Sequence, residues 1–241
     1  MAEYPGGKGG SGVYQKIISL MPKHRVYIEA FLGSGAILRH KKPAEFNHGI
    51  EIDEKVIAEY WNEPLPKNFK IQELDVFDIL KLPMNFDVDS PKDVLIYLDP
   101  PYLKSVRSSQ RQIYRHELMT DAEHTELLLK LNCLPFNVMI SGYDSELYNQ
   151  MLSTWRKVSF TGVSRGGRKT EVVWMNFSEP DELHDYQFIG DNHRQRTDFK
   201  RKKARWINRL AQMTPQQKYA MFAAMEELKD RATAKTPRDP E

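Results

Sequence analysis

The chain has a single cysteine, Cys133, among its 241 residues. Neither an intramolecular disulfide nor a zinc site built from several thiolates can form, which suits a reducing compartment. No run of about 18 apolar residues is present to span a bilayer, and the opening MAEYPGGKGG lacks the apolar stretch of a signal peptide. The expectation is a cytoplasmic protein with no membrane partner. The seven histidines show no paired ligand spacing, so no metal is expected. There is also no internal repeat and no low-complexity tract. Charge nearly cancels at +2, yet between Arg194 and Arg209 eight Lys or Arg stand against one acid, Asp198. Such a one-signed stretch suits a polyanion.

What is present is a core's worth of apolar residues, 40% of the chain, arranged in short runs. Residues 25–31, 47–52, 70–74, 93–98, 136–141, 157–163 and 171–177 read as strands, several too apolar to leave a face in water. Helical segments at 11–21, 54–61 and 120–132 separate them, the last opened by Thr120 with Glu123 three residues on, a capping-box pattern. Strands alternating with helices predict an α/β fold, a doubly wound and mostly parallel sheet of about seven strands. The last two strands, divided only by Ser164-Arg165-Gly166-Gly167-Arg168, predict an antiparallel hairpin at the sheet edge. We place this domain at 1–177, a polar linker at 178–196 and a basic helical extension at 197–241. Within the extension, Trp206, Ile207, Leu210, Tyr219, Phe222 and Met225 have helical spacing and are expected to pack helix on helix.

Chemistry concentrates at Asp99-Pro100-Pro101-Tyr102, directly after the apolar run Val94 to Leu98. In an open α/β sheet ligands collect beyond the carboxyl ends of strands. Two prolines fix φ and remove two backbone donors, leaving a stiff turn rich in acceptors. Asp99 and the Pro100 carbonyl can accept both protons of a planar amino group, and Tyr102 offers a face for stacking a base. Upstream, Glu29 to Gly35 closes the first strand and opens a helix, with Gly33 and Gly35 permitting close approach of a ligand. Leu38 stands where a dinucleotide fingerprint needs its third glycine, and no Lys-Ser/Thr pair follows, which favours a cofactor without a pyrophosphate. Glu51 ends the second strand, where an acid can grip ribose hydroxyls. Asp75 follows the third strand, placed either at the adenine rim of the same ligand or as an ordinary helix N-cap.

The order Gly6-Gly7-Lys8, then Phe31-Leu32-Gly33-Ser34-Gly35, then Asp99 to Tyr102 resembles that of the Dam-type DNA adenine-N6 methyltransferases. The likeness extends through Ile140-Ser141-Gly142-Tyr143-Asp144 and the loop Gly166-Gly167-Arg168 with its following Glu171, covering roughly residues 4–177. It implies a Rossmann-like fold that binds S-adenosyl-L-methionine and acts on double-stranded DNA with base flipping. By position, Tyr4, Lys8, Phe31, Gly33, Gly35, Glu51, Asp75 and Asp99 would border the cofactor, and Asp99, Pro100, Pro101 and Tyr102 would be catalytic. The chain departs from the family in one large respect: only about forty-five residues join Asp53 to Asp99, too few for the usual target-recognition insertion. Glu51 also replaces the more typical Asp, and Gly142 a common Asn.

With that insertion missing, DNA contacts are expected elsewhere. Residues 104–116 mix cations, amides and an aromatic, with Lys104, Arg107, Arg111 and Arg115 as phosphate ligands. Arg165, Arg168 and Lys169 on the hairpin add to these, and Lys200, Arg201, Lys202 and Lys203 form either a DNA-contacting helix or a solvated face. The acceptor chemistry suits any exocyclic amine, so RNA adenine and cytosine N4 are the rival targets, and a non-catalytic DNA-binding protein is the rival of a different class. Nothing in the motifs speaks for or against a cognate restriction endonuclease.

Overall fold

The computed structural model describes residues 7–10, 12–60, 65–66, 68–80, 86–106, 120–164 and 167–235. Seven strands, β1 (Val26–Ala30), β2 (Phe46–Glu51), β3 (Phe69–Glu73), β4 (Val94–Leu98), β5 (Asn137–Gly142), β6 (Arg156–Ser164) and β7 (Gly167–Met175), form one sheet. Its order is β3-β2-β1-β4-β5-β7-β6. The first five strands pair in parallel, while β7 runs antiparallel to both β5 and β6. This is the doubly wound, mostly parallel, Rossmann-like arrangement that the sequence predicts. The hairpin forms as expected, with β6 on the edge and β7 inserted beside β5. Accordingly Val172, Val173, Trp174 and Met175 are buried, whereas residues 156–161 of β6 alternate between exposed and partly buried.

Pleating sends successive side chains of the central strands to opposite faces. On one face Val26, Ile28, Val94, Ile96, Leu98, Val138 and Ile140 pack with Leu127, Leu128 and Leu131 of α5 (Asp121–Asn132). On the other, Tyr27, Leu95, Tyr97, Met139, Val173 and Met175 pack with Val13, Ile17 and Ile18 of α1 (Val13–Ile18) and with Ile37 and Leu38 of α2 (Ala36–His40). The capping box of α5 is in place, Glu123 N–H donating to Thr120 Oγ1 at 3.2 Å and Thr120 N–H to Glu123 Oε2 at 2.6 Å. The helices α3 (Glu54–Tyr60), α4 (Val76–Ile79) and α6 (Glu146–Met151) complete the connections.

Some buried positions are polar, Glu29 among them. Glu29, in the middle of β1, accepts from the Leu38 backbone N–H at 2.8 Å and from the Tyr27 hydroxyl at 3.0 Å. α2 begins at Gly35, which has no side chain to cap it, so the Glu29 carboxyl serves that helix's orphan donor from the neighbouring strand. Burial raises its pKa to about 8.

The polar stretch expected as a linker is fastened down over its first half. The first compact unit runs through Phe188, the second from Ile189, and α7 (His193–Ala211) starts within the segment 178–196. Pro22 and Leu183 form an antiparallel bridge, His184 N–H donates to the Met21 carbonyl at 3.1 Å, and Lys42 N–H donates to Asp185 at 2.8 Å. The His184 ring stacks on His24 with centroids 3.7 Å apart and donates through Nε2 to the Lys42 carbonyl at 2.9 Å. Polarity alone does not reveal these contacts, because the strap binds chiefly through main-chain groups.

The second unit carries α7 and α8 (Pro215–Lys235), and most of the apolar stripe expected to pack helix on helix lies open. Trp206, Ile207, Tyr219, Phe222 and Met225 are all exposed. Helical periodicity fixes which residues share a face but not that another helix covers it. None of the described helices is long and apolar enough to cross a membrane.

The His24–His184 stack gives the strap a pH dependence. Burial and the nearby Lys41 charge lower the His184 pKa from 6.5 to about 4. Between these values the unfolded chain binds a proton that the folded chain refuses, so His184's contribution is complete above pH 6.5 and drains as pH falls toward 4. We predict that the stability gap between wild type and His184→Phe, measured by urea denaturation, narrows by about 1 kcal/mol from pH 7 to pH 5, allowing for partial solvent screening. A gap of constant size would assign the strap's stability to its other bonds.

Candidate active site

The chain leaves β1 for β2 and β3 on one side and returns to β4 on the other, so the topological switch point lies between β1 and β4. Their ends are level, Ala30 opposite Leu98. The turn Phe31 to Gly35 and the tetrapeptide Asp99 to Tyr102 therefore leave the sheet side by side. β2 ends beside them at Glu51, and β5 ends at Ser141 and Gly142.

Asp99 is held from two directions. Its Oδ1 accepts from the Ser141 hydroxyl at 2.9 Å and pairs with the Lys8 ammonium at 2.7 Å, while Oδ2 makes no hydrogen bond among the described residues. Ser141 is in turn oriented by the Tyr97 hydroxyl at 2.9 Å. Both lie on the face of the sheet that carries Met139 and Leu95, and both are buried. Burial drives the Tyr97 phenol pKa well above its ordinary value, keeping it a hydroxyl. The chain Tyr97–Ser141–Asp99 thus fixes one carboxylate oxygen and leaves the other to an incoming donor.

Lys8 joins this group because α1 packs on the same face and Lys8 lies just before it. Besides Asp99, the ammonium donates to the Tyr102 hydroxyl oxygen, stands 4.6 Å from that ring's centroid and is 3.7 Å from Glu171 Oε2. The Tyr102 hydroxyl donates to Glu171 at 2.7 Å. Burial, then the negative charges of Asp99 and Glu171, push the Tyr102 pKa well above its usual value. Tyr143 meets the Tyr102 ring edge-on at 4.4 Å, and Lys169 lies over Tyr143 at 5.0 Å. Two residues absent from the expected site, Ser141 and Glu171, are therefore central to it. The signal for Glu171 was the pleat, since β7 alternates and the row Met175, Val173 of the second core continues into Glu171.

The turn after β1 is held as firmly. Phe31, Gly33 and Gly35 all have positive φ, at 60°, 48° and 58°. For Phe31 this conformation costs about 1 kcal/mol or more and persists only when its surroundings impose it. Glu51 supplies part of that imposition, Oε2 accepting from Gly33 N–H at 2.8 Å and Oε1 from Ile52 and Asp53 N–H at 2.9 and 3.1 Å. Tyr60 donates to the Gly33 carbonyl at 2.9 Å, and a Cβ at Gly35 would stand 2.2 Å from its hydroxyl oxygen. Asp75 caps α4, accepting from Phe77 N–H at 2.7 Å. Pro100 is buried and Pro101 partly so.

Of the remaining expected ligands, Tyr4, Arg107, Arg111, Arg115 and Arg165 lie outside the described residues. Lys104 opens a single 3-10 turn, Lys104–Val106. Arg168 is exposed and Lys169 partly so, both on β7, and Lys200, Arg201, Lys202 and Lys203 are exposed on α7 of the second unit. Among the described residues no cluster of His, Cys, Asp or Glu is placed to hold a metal ion.

No family model matches the chain, and no curated protein matches it in sequence. Among solved structures it is similar to a precorrin-8w decarboxylase from Methanobacterium thermoautotrophicum, at 14% identity over 71% of this chain and 91% of that one, with a TM-score of 0.41. A magnesium protoporphyrin IX methyltransferase from Synechocystis with bound SAM is 12% identical over 69% and 76%, TM-score 0.41. A dimethyladenosine transferase from Plasmodium falciparum is 12% identical over 67% and 59%, TM-score 0.40.

The buried relay behind Asp99 makes a testable demand. Ser141→Ala should cost about 1–3 kcal/mol in chemical denaturation, because it strands the Tyr97 hydroxyl in the core. Adding Tyr97→Phe should recover a good part of the loss. A double variant as unstable as the sum of the singles would mean that the two hydroxyls are not coupled.

Proposed function

We propose that the chain is an S-adenosylmethionine-dependent methyltransferase acting on the N6 amino group of adenine in double-stranded DNA. The observation that carries this reading is Asp99 at the switch point, with Oδ1 fixed by Ser141 and Lys8 and Oδ2 without a hydrogen bond among the described residues. Such a carboxylate, next to the Pro100 carbonyl, suits a planar amine that must lose conjugation with its ring before its lone pair can attack.

The residues around the neighbouring turn fit the cofactor. Glu51 spends three acceptor positions on backbone amides and keeps about one of its four lone-pair sites for a ribose hydroxyl. Phe31 is partly exposed beside the turn, Gly33 and Gly35 keep that border free of side chains, and Asp75, which follows β3, would meet the adenine rim. When bound, S-adenosylmethionine supplies a methyl group on a sulfonium. Asp99 and the Pro100 carbonyl hold the amine's protons and favour a more tetrahedral nitrogen, a stabilisation that grows toward the transition state. In duplex DNA that nitrogen is inside the stack, so the base must flip out, with Tyr102 offsetting part of the cost of a few kcal/mol.

Labelled cofactor incubated with duplex DNA, single-stranded DNA and RNA, followed by nucleoside analysis, should yield N6-methyladenine from DNA. Asp99→Ala should retain its fold and lose at least about 10²-fold in transfer. Product confined to RNA, or N4-methylcytosine, would replace the proposed substrate, and DNA binding without any transfer would favour a non-catalytic role.

For DNA holding we propose the exposed basic face of α7, together with Lys104, Arg168 and Lys169 and with the undescribed arginines at 107, 111, 115 and 165. If about three of Lys200, Arg201, Lys202 and Lys203 meet phosphates, neutralising all four should flatten the slope of log K against log salt by roughly 2.7. An unchanged slope would make that face merely solvated.

A further inference from the structure

We propose that Glu171 is a positioning residue of the amine pocket: it takes the Lys8 ammonium off Asp99 when a substrate amino group arrives. This rests on the reading of Asp99 as the amine acceptor. The difficulty it addresses is visible in the geometry. A full ammonium sits 2.7 Å from Asp99 Oδ1, and a charge-assisted hydrogen bond of that kind is roughly twice as strong as one to a neutral donor. A neutral amine that comes to Oδ2 therefore meets a carboxylate whose charge Lys8 partly neutralises through Oδ1.

Glu171 is the group that can relieve this. Its Oε2 lies 3.7 Å from the same ammonium, one ångström farther than Asp99 Oδ1. The Tyr102 hydroxyl bridges the gap, accepting from Lys8 and donating to Glu171. A small rotation of the lysine stem is enough to exchange one carboxylate for the other, and at no point is the buried charge unpaired. The side chains of Lys8 and Glu171 are only 7% and 12% exposed, so water does not offer the ammonium an equal alternative.

The substitution that isolates the charge is Glu171→Gln, whose amide oxygen still accepts from Tyr102. In methylation assays it should raise the KM for DNA and lower kcat/KM at least about tenfold, with the Kd for S-adenosylmethionine changed less than about twofold. In a Lys8→Met background the same substitution should cost less than about twofold, since there is no ammonium to hand over. Equal losses in both backgrounds would overturn the proposal. A second arm needs no turnover. In protein carrying 15N-lysine, the Lys8 ammonium of Asp99→Asn should remain slow in hydrogen exchange because Glu171 holds it, and should become fast in Asp99→Asn with Glu171→Gln. Asp99→Ala serves as the parallel background should Asn fail to fold. Fast exchange in the single Asp99 variants would overturn the hand-off, whereas a wild type that methylates no nucleic acid but shows this exchange pattern would overturn only the proposed reaction.

Discussion

A carboxylate with one oxygen committed and one left over is the constraint on which this site depends. Asp99 leaves β4 at the switch point, and the stiff Pro100-Pro101 turn that follows limits where its neighbours can go. Left to itself a strand-end aspartate would rotate toward water. Here Ser141 and Lys8 both bind Oδ1, and that shared bond links β5 and the segment before α1 to β4. Behind it, Ser141 is bonded to the buried Tyr97 hydroxyl and lies 3.3 Å from the Leu98 carbonyl, so the group that holds Oδ1 is itself held in the core.

The sheet was legible from sequence because its signals are local. Apolar runs such as Val94 to Leu98 are buried on both faces only in a central parallel strand, and the interval between 157–163 and 171–177 is too short for a crossover helix, so a hairpin was the remaining choice. The Asp-Pro-Pro-Tyr turn was legible for the same reason. Glu171 and Ser141 lie in segments that carry the resemblance, yet neither was given a role, since neither declares a partner in its own neighbourhood. Their roles come from the order β4-β5-β7, which places ends distant in sequence at one edge. Lys8 was expected at the cofactor border from the resemblance alone; that its ammonium meets Asp99, Tyr102 and Glu171 follows from the docking of α1, which no local pattern announces. The strap at 178–188 was missed because main-chain bonds leave no mark on composition, and the exposed stripe of the second unit because periodicity names a face without naming what covers it.

The turn after β1 shows how the same fold accommodates strain. A left-handed Phe31 between β1 and Gly33 would relax in an isolated loop. Glu51 prevents this by binding Gly33 from β2, and Tyr60 does so from α3, so the conformation is imposed from two elements that have their own reasons to be in place. Glu51 accordingly has a structural duty beside the ribose role we propose for it, which is left to its remaining lone-pair site. That division has a useful side. A carboxylate already ordered by three amides loses little freedom when a hydroxyl takes its last position, and a turn already bent needs no reorganisation to border a ligand. The rigidity that costs stability at Phe31 is, on this account, the means by which the pocket is ready before anything enters it.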